Sequence, residues 1–285
     1  MIGLISLNKP SGMSSSDAVV KIKKLAHMSR VGHMGTLDPL ASGVLIIGVG
    51  KATRLFDFYL AKTKTYIATF KFGVLTDTLD SEGVITKDGL RVPSMDEISA
   101  VLPSLTGKIS QYPPQYSAKS INGVRAYKLA RQGIEVELKP KDITINYIKL
   151  LDKVSKDEYT FEIDCSSGTY IRSIARDMGR LLGTEAIMTA LIRTRCGVFD
   201  INNSIKLEDL TEENIEQQLT TLDMALKDIE TYVITNDKDY AKIINGVAIT
   251  ANGEDRQVVV KYNDEILGLG EISLGLLKIK NYLKE

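Results

Sequence analysis

Apolar and polar positions along the chain mark out a series of short, distinct elements. Leu4-Ile5-Ser6-Leu7 reads as a strand that enters a loop at Asn8 to Gly12. From Ser14 the spacing changes: Val19, Val20, Ile22, Leu25 and Ala26 fall on one side of a helix, and Ser14 to Asp17 can cap it. Val44 to Ile47 is an unbroken apolar run bounded by glycine, as expected of a buried strand. Ala52 to Leu60 reads as helical. Thr65 to Phe72 alternates and is rich in β-formers, so it reads as a strand. Asp77 to Gly83 is a polar loop, and Met95 to Leu105 is a helix with Ser94 as its cap.

Two prolines, Pro113 and Pro114, exclude a helix interior or a central strand for Gln111 to Lys119. A short basic helix, Ala126 to Gln132, follows and stops at Gly133. Ile143 to Leu151 and Tyr159 to Cys165 read as strands, and Tyr170 to Leu182 as a helix with Gly183 just beyond its end. An acidic stretch, Leu207 to Leu226, reads as helical. Glycine-punctuated short strands fill Tyr232 to Tyr282. Strands and helices mix without strict alternation. The class expected is therefore α+β, with a mixed, largely antiparallel sheet flanked by helices and a small C-terminal β-rich domain.

Composition narrows the picture. At 285 residues, 44% hydrophobic and with 7 prolines, the chain suits a globular protein of one large domain or two unequal ones. No apolar run approaches the roughly 20 residues that span a bilayer. Met1-Ile2-Gly3-Leu4 has no basic residues before its apolar ones, unlike a signal peptide. With 2 cysteines, 2 histidines and no CxxC, a zinc site is not expected, and unpaired thiols suit a reduced cytoplasm. Net charge is zero, but its distribution is uneven. Residues 1 to 80 and 108 to 141 are basic, while Asp200 to Glu230 is acidic. A neutral protein can in this way turn a basic face to phosphates.

The densest chemical signal is Gly32-His33-Met34-Gly35-Thr36-Leu37-Asp38-Pro39-Leu40-Ala41-Ser42-Gly43-Val44-Leu45. The glycines allow close backbone approach to a ligand, and Pro39 pushes Asp38 towards an extended conformation. One carboxylate is thus expected on a stiff loop above a core strand. Gly48-Val49-Gly50-Lys51-Ala52-Thr53 fits neither a Walker loop nor GxGxxG, and Asp77, Asp80 and Glu82 lack EF-hand spacing. A glycosidase would need a second carboxylate, for which Asp80 is the nearest candidate.

The Asp38 string resembles motif II of the TruB family of tRNA pseudouridine synthases. Asn8-Lys9-Pro10-Ser11-Gly12-Met13-Ser14-Ser15 is similar to that family's N-terminal motif, and Lys64-Thr65-Tyr66 to its tyrosine segment. Cys165 to Ser173 is similar to its CS-x-GTYIR segment, with Ser167 where many relatives carry Lys. Leu191-Ile192-Arg193-Thr194-Arg195 is similar to the region closing its catalytic domain. The resemblance covers most of residues 2 to 200.

The resemblance implies the pseudouridine synthase fold, with residues 1–230 as catalytic domain, 111–141 as an RNA-binding thumb and 231–285 as a PUA-like domain. It implies isomerisation of uridine 55 in the tRNA T loop, with Asp38 as catalytic carboxylate. Tyr66 would stack on the uracil, Arg172 would hold the carboxylate, and Tyr170 and Leu191 would shape the pocket. His33 would fill the space left by flipped nucleotides. Lys9 and Pro10 would support the loop, and Lys119, Arg125, Lys128 and Arg131 would contact phosphates. No cofactor, metal, membrane or obligate protein partner is expected; the expected form is a cytoplasmic monomer with tRNA as its partner. The rival readings are a synthase for another RNA and an RNA-binding or tRNA-folding protein with incidental catalysis.

Overall fold

The computed structural model describes residues 1–285 apart from 118, 119, 122, 123, 131, 135 and 285. The chain forms two compact units. One comprises Met1–Asp38, Leu45–Leu60 and Val198–Glu285; the other comprises Pro39–Val44 and Ala61–Gly197.

The first unit begins with strand β1 (Gly3–Lys9), whose apolar residues are fully buried. Helix α1 (Ser15–Leu25) starts at a reciprocal cap: the Ser14 hydroxyl accepts from the Asp17 amide, and the Asp17 carboxylate accepts from the Ser14 amide. Its Ala18, Val19 and Ile22 face inward. Strand β2 (Val31–His33) runs antiparallel to β3 (Ser42–Val49), and the apolar side chains of β3 from Val44 to Val49 are wholly buried. The expected helix at 52–60 forms as a 3-10 turn, Gly50–Leu55, followed by α2 (Phe56–Ala61).

In the second unit β4 (Lys64–Phe72) pairs antiparallel with a strand on each side. Two short strands, β5 (Leu75–Thr76) and β6 (Ile85–Lys87), bracket the polar loop. Helix α3 (Met95–Val101) carries a Ser94–Glu97 capping box. It is shorter than expected, because residues 102–105 tighten into a 3-10 turn around Pro103, which cannot donate to an α-helical ladder. Then follow β7 (Gly107–Gln111), β8 (Ser120–Ile121), β9 (Val124–Arg125), α4 (Ala126–Ala130), β10 (Lys141–Lys153), β11 (Glu158–Cys165), α5 (Ile171–Leu181) and β12 (Ala186–Cys196). Strand order is β12-β4-β11-β10-β7. Ser42 and Gly43 of β3 lie parallel to Ile192 and Arg193 of β12. Gly43 sits at φ +98°, where a Cβ would fall 2.3 Å from the Arg193 carbonyl oxygen, so only glycine fits.

The chain then returns to the first unit. Strand β13 (Phe199–Asp200) leads to β14 (Ile205–Lys206), which pairs parallel with β1 through Leu7 and Ile205. The expected acidic helix at 207–226 does not form. A 3-10 turn, Leu207–Asp209, hydrogen-bonded turns over 212–218 and the four-residue α6 (Leu222–Ala225) take its place. Thr211 and Asn214 cap a short turn that does not grow into a helix: each side chain accepts from the other's amide, and the Asn214 amide group donates to the Asp209 carbonyl. The C-terminal segment adds β15 (Thr231–Ile234), α7 (Asp237–Ile244), β16 (Ile249–Thr250), β17 (Arg256–Tyr262), β18 (Glu265–Ser273) and β19 (Leu276–Tyr282), in sheet order β15-β17-β18-β19-β16. Val258, Val260, Leu267, Ile272 and Leu277 give that sheet its own apolar core. The architecture is the expected α+β class, a mixed and largely antiparallel sheet with helices and a C-terminal β-sheet domain.

Candidate active site

In the first unit main-chain bonds hold the loop that leads to Asp38. Met34 N–H donates to the Ile46 carbonyl, so β2 stays paired just past His33. Gly35 then turns at φ +111°. The buried Ser15 hydroxyl bonds both main-chain groups of Leu37, accepting from its amide at 2.9 Å and donating to its carbonyl at 3.0 Å. Asp38 comes next, half-buried, and the chain crosses from the first unit to the second at the Asp38–Pro39 bond. Lys9 has no exposed surface; its ammonium donates to the carbonyls of Pro10 at 2.8 Å and Met13 at 2.6 Å. The loop entering α1 is therefore wrapped on a buried cation. His33 is the last residue of β2, opposite Ile47.

Ser15→Ala leaves two buried main-chain groups of Leu37 without this partner. The expected cost is about 1–3 kcal/mol of stability, read as a lower denaturant midpoint at unchanged m-value. An unchanged midpoint would show that the loop is held by other contacts.

In the second unit, Tyr66 lies in β4 between Ile163 of β11 and Arg193 of β12 and is buried. Burial raises the phenol's pKa well above its ordinary value, while Arg193 pulls it down, so the hydroxyl stays protonated across the working range. Arg193 itself is 1% exposed, and its Nε donates to the Val44 carbonyl at 2.6 Å. Lys64 pairs with Cys165 and Cys196 across the two neighbouring strands. Burial lowers the Lys64 pKa and pushes the Cys165 thiol up to about 12. Leu191 is buried on β12 opposite Ala68.

Arg172 is the second residue of α5. Its guanidinium donates to the Thr78 carbonyl at 2.9 Å, to Asp80 Oδ2 at 3.2 Å and to the Tyr116 carbonyl at 3.0 Å. Asp80 is equally buried and also accepts from the Thr78 hydroxyl and the Glu82 amide. Its oxygens are engaged in structure, which leaves it poorly suited to the second carboxylate of a glycosidase. Tyr170 caps α5, and the Gln111 side chain brackets its backbone, accepting from its N–H at 2.8 Å and donating to its carbonyl at 3.1 Å. The Tyr112 carbonyl accepts from Ser173 and Arg176. The two-proline segment is thus tied along the start of the helix that carries Arg172.

The structure groups Lys9, Pro10, His33 and Asp38 in the first unit, and Tyr66, Tyr170, Arg172 and Leu191 in the second. Asp80 and Gln111 are positioning residues that sequence reasoning did not assign. Asp80 carries no motif, and Gln111 was legible only as the start of the proline-broken stretch. Of the phosphate candidates, Arg125 lies in β9 and Lys128 in α4, while Lys119 and Arg131 lie outside the described residues. Among the described residues no group of three or more His, Cys, Asp or Glu side chains is placed to hold a metal ion, and no helix is long and apolar enough to cross a membrane.

Comparison with known proteins points to one enzyme class, the pseudouridylate synthases. Residues 23–171 match the model described as "TruB family pseudouridylate synthase (N terminal domain)", and residues 172–234 match "tRNA pseudouridylate synthase B C-terminal domain". The chain belongs to the TruB family. It is 41% identical over 285 residues to tRNA pseudouridine synthase B of Clostridium acetobutylicum, covering 96% of each chain. It is 40% identical over 295 residues to the same enzyme of Clostridium perfringens strain 13, covering 100% of both. Among solved structures, a Cbf5-Nop10-Gar1 complex contains a chain with TM-score 0.72 and 27% identity, matched over 98% of this chain and 79% of that one. An archaeal box H/ACA Nop10-Cbf5 complex shares the fold, with TM-score 0.73 over 99% of this chain and 86% of that one.

Proposed function

We propose that the protein isomerises uridine to pseudouridine at position 55 in the T loop of tRNA, with Asp38 as the catalytic carboxylate. The observation that carries this reading is the Asp38 loop itself. A half-buried carboxylate follows a residue whose amide and carbonyl are both pinned by Ser15. The names of the full-length relatives supply the RNA class.

The reaction breaks the N1–C1′ bond, turns the uracil and forms a C5–C1′ bond. The C5 proton leaves and N1 gains one, so atoms balance without a nucleotide or redox partner. Asp38 supplies the attacking or proton-abstracting carboxylate. Arg172 supplies the positive charge that keeps it ionised. Tyr66 stacks on the uracil and serves the proton transfer at C5, Leu191 and Tyr170 wall the pocket, and His33 fills the gap left by the extruded base. Residues 111–141 act as a thumb on the T stem-loop, with Lys119, Arg125, Lys128 and Arg131 at phosphates, and 231–285 act as a PUA-like domain. The enzyme works as a cytoplasmic monomer.

Tritium release from tRNA labelled at C5 of uridine, with EDTA present, tests the reading. One tritium per tRNA is expected. Tight tRNA binding without release would overturn it in favour of a binding or folding role.

Tyr66→Phe keeps the ring and removes the proton. It is expected to leave KM within about twofold and to lower kcat by about 10²–10⁴-fold, the usual contribution of a positioned acid–base group. An unchanged kcat would reduce Tyr66 to a stacking surface.

A further inference from the structure

We propose that a groove on the first unit is a second RNA contact, which takes an unpaired nucleotide from outside the T arm. This rests on the tRNA reading above. The groove has a volume of about 520 Å³, within the size range of sites for small organic groups. Pro10, Met13, Leu25 and Leu207 give it apolar walls, and Lys21 and Lys24, one helical turn apart on α1, supply ammonium groups. Lys206 also lines it and is matched by Glu208 at 3.7 Å. Lys21 and Lys24 are exposed, and among the described residues neither has a carboxylate partner.

An apolar hollow with two uncompensated cations suits an anion that has an apolar body. A nucleotide has that character: its base and ribose fill the hollow and its phosphates meet the lysines. The hollow carries no aromatic platform, so it selects for shape and charge and not for base identity. The RNA that the catalytic loop already engages is the polyanion at hand. Occupancy also touches the loop that leads to Asp38. Pro10 and Met13 line the groove while their carbonyls hold Lys9, and two residues after Met13 comes Ser15, which fixes Leu37. A nucleotide seated there steadies the segment from which the catalytic loop hangs.

The test compares the full-length protein with its Lys21→Glu/Lys24→Glu variant on two substrates, an intact tRNA transcript and the isolated T stem-loop. For intact tRNA, KM is expected to rise by about tenfold or more, and the salt slope of binding to fall by about 2, one for each lost phosphate contact. For the stem-loop, kcat/KM should change less than twofold. Equal losses on both substrates, or no loss on either, would overturn the proposal. A Lys21→Gln/Lys24→Gln variant with a wild-type melting curve controls for folding and should show the same substrate split. If free adenosine monophosphate binds and the double variant loses that binding while its KM for tRNA stays unchanged, the groove serves a free nucleotide and the RNA-contact proposal fails. Should the unmodified protein release no tritium at all, the catalytic reading fails by itself, and the salt slope of tRNA binding still tests the groove.

Discussion

Asp38→Asn is expected to abolish isomerisation, lowering single-turnover tritium release by about 10⁴-fold or more, as loss of an essential reacting group does. The Kd for tRNA should stay within about twofold. The reason lies in how the loop is held. Its visible anchors are main-chain groups: Met34 on Ile46, and Leu37 on the Ser15 hydroxyl. None of these bonds is made by the carboxylate, so they survive the change to the amide. Filter binding beside single-turnover chemistry separates the two quantities. A rate within tenfold of wild type would take catalysis away from Asp38. Unimpaired binding with no chemistry would leave any tRNA-folding role measurable by itself.

Asp80→Asn should lower stability and rate together. Arg172 and Asp80 form an ion pair at 3.2 Å whose side chains are 7% and 5% exposed. Neutralising Asp80 breaks a buried ion pair, a loss of about 3–5 kcal/mol. In a chain of this size that lowers Tm by roughly 6–15 °C. Arg172 keeps its bonds to the carbonyls of Thr78 and Tyr116, so it tilts more than it leaves. A drop in kcat of about a hundredfold with little change in KM is therefore expected, the mark of an interaction used in the transition state. Asp80→Glu tests geometry against charge and should recover part of the Tm but little of kcat. A normal melt and normal kcat in Asp80→Asn would show that the carbonyls alone orient Arg172.

Local physics made much of this molecule readable. Ser14 and Asp17 declared the start of α1, and the Thr65 to Phe72 alternation declared β4. Gly183, at φ +68°, closes the helix that carries Arg172 where the sequence put its end. What stayed hidden depends on residues far apart. Asp80 meets Arg172 across 92 positions, and no local pattern reports such a pair. Arg193, in the stretch that resembles the close of a catalytic domain, is buried inside β12 with its guanidinium on the Val44 carbonyl. Lys9, counted among the basic residues of the N-terminal region, turned out to have no exposed surface. The acidic run at 207–226 forms only short turns, which its composition does not report.

The split make-up of the first unit bears on how the protein is born. Ser6 shares a hydrogen bond with Ser204, 198 residues later, and the Tyr59 hydroxyl donates to the Ala225 carbonyl. Arg54 waits longer still, for the Tyr282 carbonyl 228 positions downstream. A ribosome delivers these partners late, so β1 leaves the exit tunnel with β3 at hand and with the edge that β14 covers still open. Such an edge is open to wrong pairings until its partner is made. The Ser15–Leu37 tie spans only 22 positions and can close early. Translation that stops short of Tyr282 would thus release a chain with the whole Asp38 motif and without the residues that complete the unit around it.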